Sequence, residues 1–140
     1  MRCVVFDLDG TLADTSADLL AAANACFPAP LLGPEDALTA FHGGRAMLRL
    51  GFDRQGLDWT EAEVDAAYPV LLEAYRGGIA THTRLYPGAI EAVEALRGAG
   101  IRVSVCTNKP EGLADLLLQA LGVREVFGAL VGADTFPVRK

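Results

Sequence analysis

Val4-Val5-Phe6-Asp7-Leu8-Asp9-Gly10-Thr11-Leu12 joins an apolar run to two carboxylates one residue apart, with a glycine and a threonine directly behind them. The run predicts a buried strand, and the acids with the glycine predict a tight turn at its carboxyl end. Asp7 closes the run and is placed to project from the strand's end. Asp9 lies just beyond, on backbone that Gly10 frees to bend. Two carboxylates at that spacing can ligate a hard cation, or divide the work of a nucleophile and of an acid and base. By itself Asp-Leu-Asp-Gly is equally a plain turn after a strand, because Asp and Gly are common turn formers.

A second apolar run, Ile101-Arg102-Val103-Ser104-Val105-Cys106, ends in Thr107-Asn108-Lys109-Pro110. It predicts another strand, one that delivers a hydroxyl, an amide and an ammonium to a helix start. Before it, Pro87 suits the first turn of a helix carrying Ile90, Val93 and Leu96 and ending at Gly98 and Gly100. After it, Pro110 opens a helix with Leu113, Leu116, Leu117 and Leu121, closed by Gly122, and Ala129-Leu130-Val131 reads as a third short strand. Strands alternating with helices predict right-handed crossovers and a parallel sheet. In such a sheet the acid pair and the Thr-Asn-Lys cluster stand at the same end.

No strand signal separates residues 15 and 83. Asp18 to Phe27 is helical in pattern, with Leu19, Leu20 and Ala23 on one face, and Pro28-Ala29-Pro30 ends it. Glu35 to Phe52 predicts a short helix, a turn at His42-Gly43-Gly44 and another helix. Thr60-Glu61-Ala62-Glu63 has capping-box spacing, and Val64, Ala67, Tyr68, Leu71, Leu72 and Tyr75 follow at helical intervals. Pro69 within that pattern is expected to kink or divide the helix. The segment reads as an all-helical insert.

Asp7-x-Asp9-Gly10-Thr11, followed about a hundred residues later by Thr107-Asn108-Lys109, resembles the haloacid dehalogenase superfamily of phosphotransferases. Phe6 to Leu12, Leu85-Tyr86-Pro87-Gly88 and Thr107 to Pro110 look like its phosphoglycolate phosphatase branch. The resemblance implies an α/β fold: a partial Rossmann-like core with a parallel sheet, residues 1–14 and 84–140, and an inserted all-helical cap domain, residues 15–83. It implies a phosphomonoester hydrolase acting on a small phosphorylated metabolite, an acid such as 2-phosphoglycolate. The alternatives are a sugar-phosphate phosphatase or phosphomutase, and a non-catalytic form that binds a partner or an anion.

The same resemblance implies roles. Asp7 is the nucleophile that forms an aspartyl-phosphate, competent as an anion because its reference pKa is about 3.9. Asp9 protonates the leaving alkoxide and then activates water. Mg²⁺ is held by Asp7 and the backbone carbonyl of Asp9, and Thr107 and Asn108, with Gly10 in the first turn, hold the phosphoryl group. Two lysines compete to neutralise it. Lys109 follows the second motif, a position that is usually helix surface in the family. Lys140 follows Asp134-Thr135-Phe136-Pro137, where the branch carries a lysine, and is favoured. Arg45 in Phe41-His42-Gly43-Gly44-Arg45 could pair with a substrate carboxylate, or could equally be a solvated arginine. Trp59 and Tyr68 suit cap packing.

Composition bounds the rest. Of 140 residues, 51% are hydrophobic and 21% charged, which suits a globular chain. No apolar stretch approaches the roughly 20 residues that span a bilayer, and the amino terminus carries no basic segment followed by an apolar one. The protein is expected to be cytoplasmic, with no membrane partner. A net charge of −6 without a Lys/Arg cluster argues against nucleic acid. Cys3, Cys26 and Cys106 are odd in number and lack metal-type spacing, and Cys3 and Cys106, even on neighbouring strands, are out of register for a disulfide, so buried free thiols are expected. The family's later acidic motif does not occur, so the chain is expected to be truncated and Val4-Val5-Phe6 to lie on an open sheet edge, a surface for self-association.

Overall fold

A computed structural model describes residues 1–140. Along the chain the elements are β1 (Cys3–Phe6), β2 (Ala13–Asp14), α1 (Ser16–Asn24), α2 (Ala37–Phe41), α3 (Gly44–Gln55), α4 (Glu61–Gly77), β3 (Arg84–Leu85), α5 (Ala89–Gly98), β4 (Arg102–Cys106), α6 (Glu111–Ala120) and β5 (Ala129–Val131). They divide into two units, Met1–Asp14 with Thr83–Lys140, and Thr15–His82.

The first unit is α/β. Its three-stranded sheet has the order β1-β4-β5, all parallel, with Phe6 opposite Val105 and Cys106 opposite Val131. β4 has a neighbour on each side, and Val103 and Val105 are buried. Val93 of α5 and Leu113, Ala114, Leu117 and Leu118 of α6 complete the apolar core with Phe127 and Leu130. β1 pairs on one side only, which explains two departures from the expected burial. Val5 is 60% exposed, and Cys3 is an exposed thiol rather than a buried one. All three cysteines are free; Cys3 faces Arg102 and Cys106 faces Val131 in the ladder.

A second, two-stranded ladder escaped the sequence reading. β2 pairs antiparallel with β3, Ala13 opposite Leu85 and Asp14 opposite Arg84. Two residues are too few to show a period of two, so no alternation announces them.

The second unit is wholly helical. Leu19, Leu20, Ala22 and Ala23 of α1, Met47 and Leu48 of α3, and Val64, Leu71 and Tyr75 of α4 are buried. α1 stops at Asn24, three residues before Phe27: the chain tightens into i→i+3 turns there, with Cys26 N–H donating to the Ala23 carbonyl and Phe27 N–H to that of Asn24, and the Asn24 side chain ties the helix end to the segment after Pro30. Its Oδ1 accepts from the N–H groups of Leu31 and Leu32, and its Nδ2 donates to the Leu32 carbonyl. α4 begins where the Thr60 N–H donates to Glu63 Oε2 at 2.6 Å. Pro69 does not divide it: the helix runs unbroken from Glu61 to Gly77. Burial of Val64, Leu71 and Tyr75 on both sides of the proline offsets the missing backbone bond. No helix is long and apolar enough to cross a membrane.

Candidate active site

β1 hands its last residue, Phe6, to a turn that closes on one carbonyl. The Leu8 C=O accepts from the N–H groups of Thr11 at 3.1 Å and Leu12 at 2.9 Å, and Gly10 N–H donates to the Ala13 carbonyl at 2.9 Å. Gly10 has φ +76°, a conformation that a side chain would strain. Leu8 is fully buried and pins the turn to the core. Its N–H donates to Asp7 Oδ1 at 2.8 Å, so the Asp7 carboxylate is fixed at the strand's end.

The loop after β4 is tied more heavily. Thr107 N–H donates to the Val131 carbonyl at 2.9 Å, and the Thr107 hydroxyl oxygen accepts from the Lys109 N–H at 3.1 Å. The Lys109 carbonyl accepts from Ala133 N–H at 2.9 Å. Asp134 Oδ1 then accepts the first N–H of α6, that of Glu111, at 2.8 Å, and Thr135 bridges Gly132 N–H and the Glu111 carboxylate. Gly132 is the closest approach. A Cβ there would lie 2.4 Å from the Glu111 nitrogen and 2.8 Å from the Lys109 carbonyl oxygen. Nothing in the sequence distinguishes Gly132 from a loop glycine, and neither it nor Glu111 was foreseen as part of this region.

Because β1 and β4 are parallel neighbours, the two loops leave the sheet at the same end. Two ion pairs form there. Lys140 Nζ lies 3.1 Å from Asp7 Oδ1, with side chains 41% and 43% exposed. Lys109 Nζ lies 3.2 Å from Asp9 Oδ1, with side chains only 4% and 15% exposed. The expectation that Lys109 sits on helix surface is therefore corrected: it precedes α6, and its backbone ties turn it inward. Burial pushes the Lys109 ammonium below its ordinary pKa, and the Asp9 carboxylate opposes that shift. Thr107 is buried, while Asn108 and Gly10 are exposed at the same end.

Asp7 and Asp9 offer hard oxygen donors, which suit a small hard cation that keeps most of its ligands as water and phosphate. No third acidic, histidine or cysteine side chain joins them in a closed cage. Tyr86, near the re-entry of the chain from the helical unit, has its phenol pushed up first by burial and then by the Asp14 carboxylate. A hollow of about 630 Å³ opens at the other end of the strands, lined by residues such as Cys3, Arg102 and Ser104, and holds none of the candidate residues.

Arg45 belongs to the helical unit. It forms an ion pair with Asp65, and its guanidinium carbon stands 4.3 Å from the centre of the Tyr68 ring. Trp59 stacks on Phe52 at 6.0 Å and donates its indole N–H to Asp53.

Comparison with known proteins agrees on one family. The family model of haloacid dehalogenase-like hydrolases matches residues 1–140. The chain is 42% identical to a phosphoglycolate phosphatase of Agrobacterium fabrum strain C58 over 140 residues, which cover 97% of this chain and 60% of the relative. It is 40% identical to a phosphoglycolate phosphatase of Mesorhizobium japonicum, covering 98% of this chain and 62% of the relative. Among solved structures, a predicted phosphoglycolate phosphatase from Haemophilus somnus 129pt superimposes with a TM-score of 0.82 at 26% identity, over 99% of this chain and 65% of that one. The chain thus spans about 60% of the length of the curated relatives it matches.

Proposed function

This chain belongs to the haloacid dehalogenase-like hydrolase family, and from that premise we propose that it carries the reacting end of a phosphomonoester hydrolase that works through an aspartyl-phosphate. The observation that carries this reading is the division of labour between the two acids. Asp7 is fixed at the end of β1 beside Lys140, and Asp9 is held two residues on by Lys109. Relatives that match nearly the whole chain bear the name phosphoglycolate phosphatase, so the substrate proposed is a small phosphorylated acid such as 2-phosphoglycolate.

In this reading an Asp7 carboxylate oxygen attacks phosphorus, a P–O bond to Asp7 forms, and the ester P–O bond breaks. Asp9 gives its proton to the departing alkoxide. It then takes a proton from water, which attacks the same phosphorus, releases inorganic phosphate and returns Asp7. Lys140 offsets the charge gathered between Asp7 and the phosphoryl group. The Thr107 oxygen already accepts a hydrogen bond from Lys109 N–H, which leaves its own O–H to donate to a phosphoryl oxygen. The Asn108 amide donates beside it, close to the start of α6. The side chain of Asp7 and the carbonyl of Asp9 would hold Mg²⁺, whose charge, when bound, lessens repulsion between carboxylate and phosphate. Arg45 is proposed to meet the substrate carboxylate.

The test measures phosphate release by the full chain from 2-phosphoglycolate, p-nitrophenyl phosphate and a panel of hexose phosphates, with and without Mg²⁺. Mg²⁺-dependent turnover that favours phosphoglycolate is expected. Preference for a hexose phosphate overturns the substrate, and no turnover of any ester overturns the hydrolase. Arg45→Ala should raise KM for phosphoglycolate and spare p-nitrophenyl phosphate, which has no carboxylate; equal losses on both would assign Arg45 to its tie with Asp65 alone.

A further inference from the structure

The buried ion pair joins two loops that the sequence separates by a hundred residues. Asp9 rides on the turn after β1, whereas Lys109 is part of the loop after β4 that presents Thr107 and Asn108. The two ends of this strut are anchored differently. The Lys109 backbone is held at its N–H by Thr107 and at its carbonyl by Ala133, and Gly132 is packed against that carbonyl with no room for a side chain. Asp9 stands next to Gly10, on backbone with a positive φ at that glycine. From the second loop, the Lys109 ammonium reaches it at 3.2 Å from Oδ1.

A lysine side chain with only 4% of its surface exposed loses solvation that an ion pair repays in part. The strand before the Lys109 loop and the helix after it bury their own apolar side chains, Val105 on β4 and Leu113 and Ala114 on α6. The Lys109 ammonium does what a methylene chain of the same length could not, which is to hold a carboxylate at a set position relative to the phosphate-binding loop.

We infer that Lys109 is the positioning residue of Asp9, a strut that registers the acid–base carboxyl on the first loop against the phosphoryl-holding Thr107 and Asn108 on the second. This rests on the phosphatase reading above and adds a role to it. Lys109 does not touch the reacting atoms; it fixes the carboxyl that transfers a proton to the leaving oxygen. Proton transfer by a placed side chain contributes about 10²–10⁴-fold, and a misplacement of about 1 Å costs on the order of 10²-fold. Loss of the strut should therefore be felt most by esters whose leaving group needs a proton.

The test is Lys109→Met in the full chain, assayed with Mg²⁺ on 2-phosphoglycolate and on p-nitrophenyl phosphate. From 2-phosphoglycolate the group that departs is the basic alkoxide of glycolate, which needs a proton, whereas p-nitrophenolate leaves unprotonated. The expected result is a drop of about 10² in kcat/KM on phosphoglycolate and a loss of less than about tenfold in kcat/KM on p-nitrophenyl phosphate, because kcat/KM reports the formation of the aspartyl-phosphate, whereas its later hydrolysis, in which Asp9 takes a proton from water, is common to both esters. In an Asp9→Asn background the same substitution should cost nothing further on phosphoglycolate. Equal losses in kcat/KM on the two esters, or full additivity with Asp9→Asn, overturn the role. Should Lys109→Met fail to fold, Lys109→Gln, which retains a hydrogen-bond donor, is put through the same pair of assays. If the unmodified chain hydrolyses neither ester, the phosphatase reading falls and takes this role with it. If it hydrolyses both and the variant shows no split, only the role of Lys109 falls.

Discussion

The sheet end and the helical unit use the same kind of contact to different effect. Lys109 and Asp9 approach to 3.2 Å with side chains 4% and 15% exposed, while Arg49 and Glu61 meet through two 2.9 Å hydrogen bonds with side chains 45% and 59% exposed. Distance does not separate the two pairs; water does. An exposed pair is screened by solvent and salt and adds little to stability. A buried pair loses solvation that its attraction barely repays, and removing one partner strands the other. The helical unit can afford many surface pairs because none of them matters much, whereas a pair kept inside directs attention to what it holds in place.

The largest effect is expected at Asp7. Asp7→Asn is nearly isosteric and should lower turnover by at least ~10³-fold while leaving the melting temperature near that of the unmodified chain. Turnover within about tenfold would break the assignment of the sheet end to chemistry. Next comes Gly132→Ala. Its Cβ cannot coexist with Glu111 and the Lys109 carbonyl, so α6 or the loop must shift, at a cost of about 1–3 kcal/mol. Denaturant unfolding measures that cost, and an unchanged midpoint would show that the loop yields freely.

Asp36 sharpens the contrast from within the helical unit, because it is a buried carboxylate there that pairs with a half-exposed guanidinium, Arg54. It accepts two hydrogen bonds of 2.7 Å from Arg54 and one from Gly33 N–H. The Arg54 hydrogen bonds, ahead of the backbone one, hold its carboxyl below the usual carboxylate range. A depressed pKa means that the stabilisation is complete above about pH 4 and is lost as pH falls through the lowered value. Asp36→Asn should therefore melt below the unmodified chain at pH 7, and the gap should close as the medium is acidified below that range. A gap independent of pH would assign the effect to shape and not to charge. Smallest of all, Arg49→Ala should leave the melting curve where it is, in low salt and high; a clear downward shift would show that surface pairs in this unit carry stability after all.

What the sequence made legible follows from the length of its signals. Apolar runs of four to six residues ending in Asp7 and Thr107 are long enough to mark strands, and the leucines of α6 recur often enough to mark a helix. β2 and β3 are too short for any period. The path of α4 through Pro69 depends on packing partners elsewhere in the chain, which a local rule for proline does not see. The inward turn of Lys109 is the sharpest case. Lysine is among the residues least often buried, and its partner Asp9 is distant in sequence, so only the parallel register of β1 and β4 brings them together. The engagement of Arg45 with Asp65, twenty residues on, was hidden for the same reason.

The small β2–β3 ladder has a consequence for how such a molecule can be rebuilt. Asp14 and Arg84 are direct antiparallel partners, and the whole helical unit, Thr15–His82, is strung between them. Residues paired in this way stand about 5 Å apart, a gap that a two-residue hairpin turn closes. The chain therefore leaves and re-enters the sheet unit through a single doorway, and the closure entropy of what is hung there grows only slowly with its length, by about 0.6 kcal/mol per doubling. The helical unit is in this sense a cassette. Replacing it with an Asn-Gly turn, or with another helical insert of different length, should leave the register of β1, β4 and β5 unaltered, so the insert can be exchanged at this joint without rewriting the strands that lead into Asp7 and Thr107.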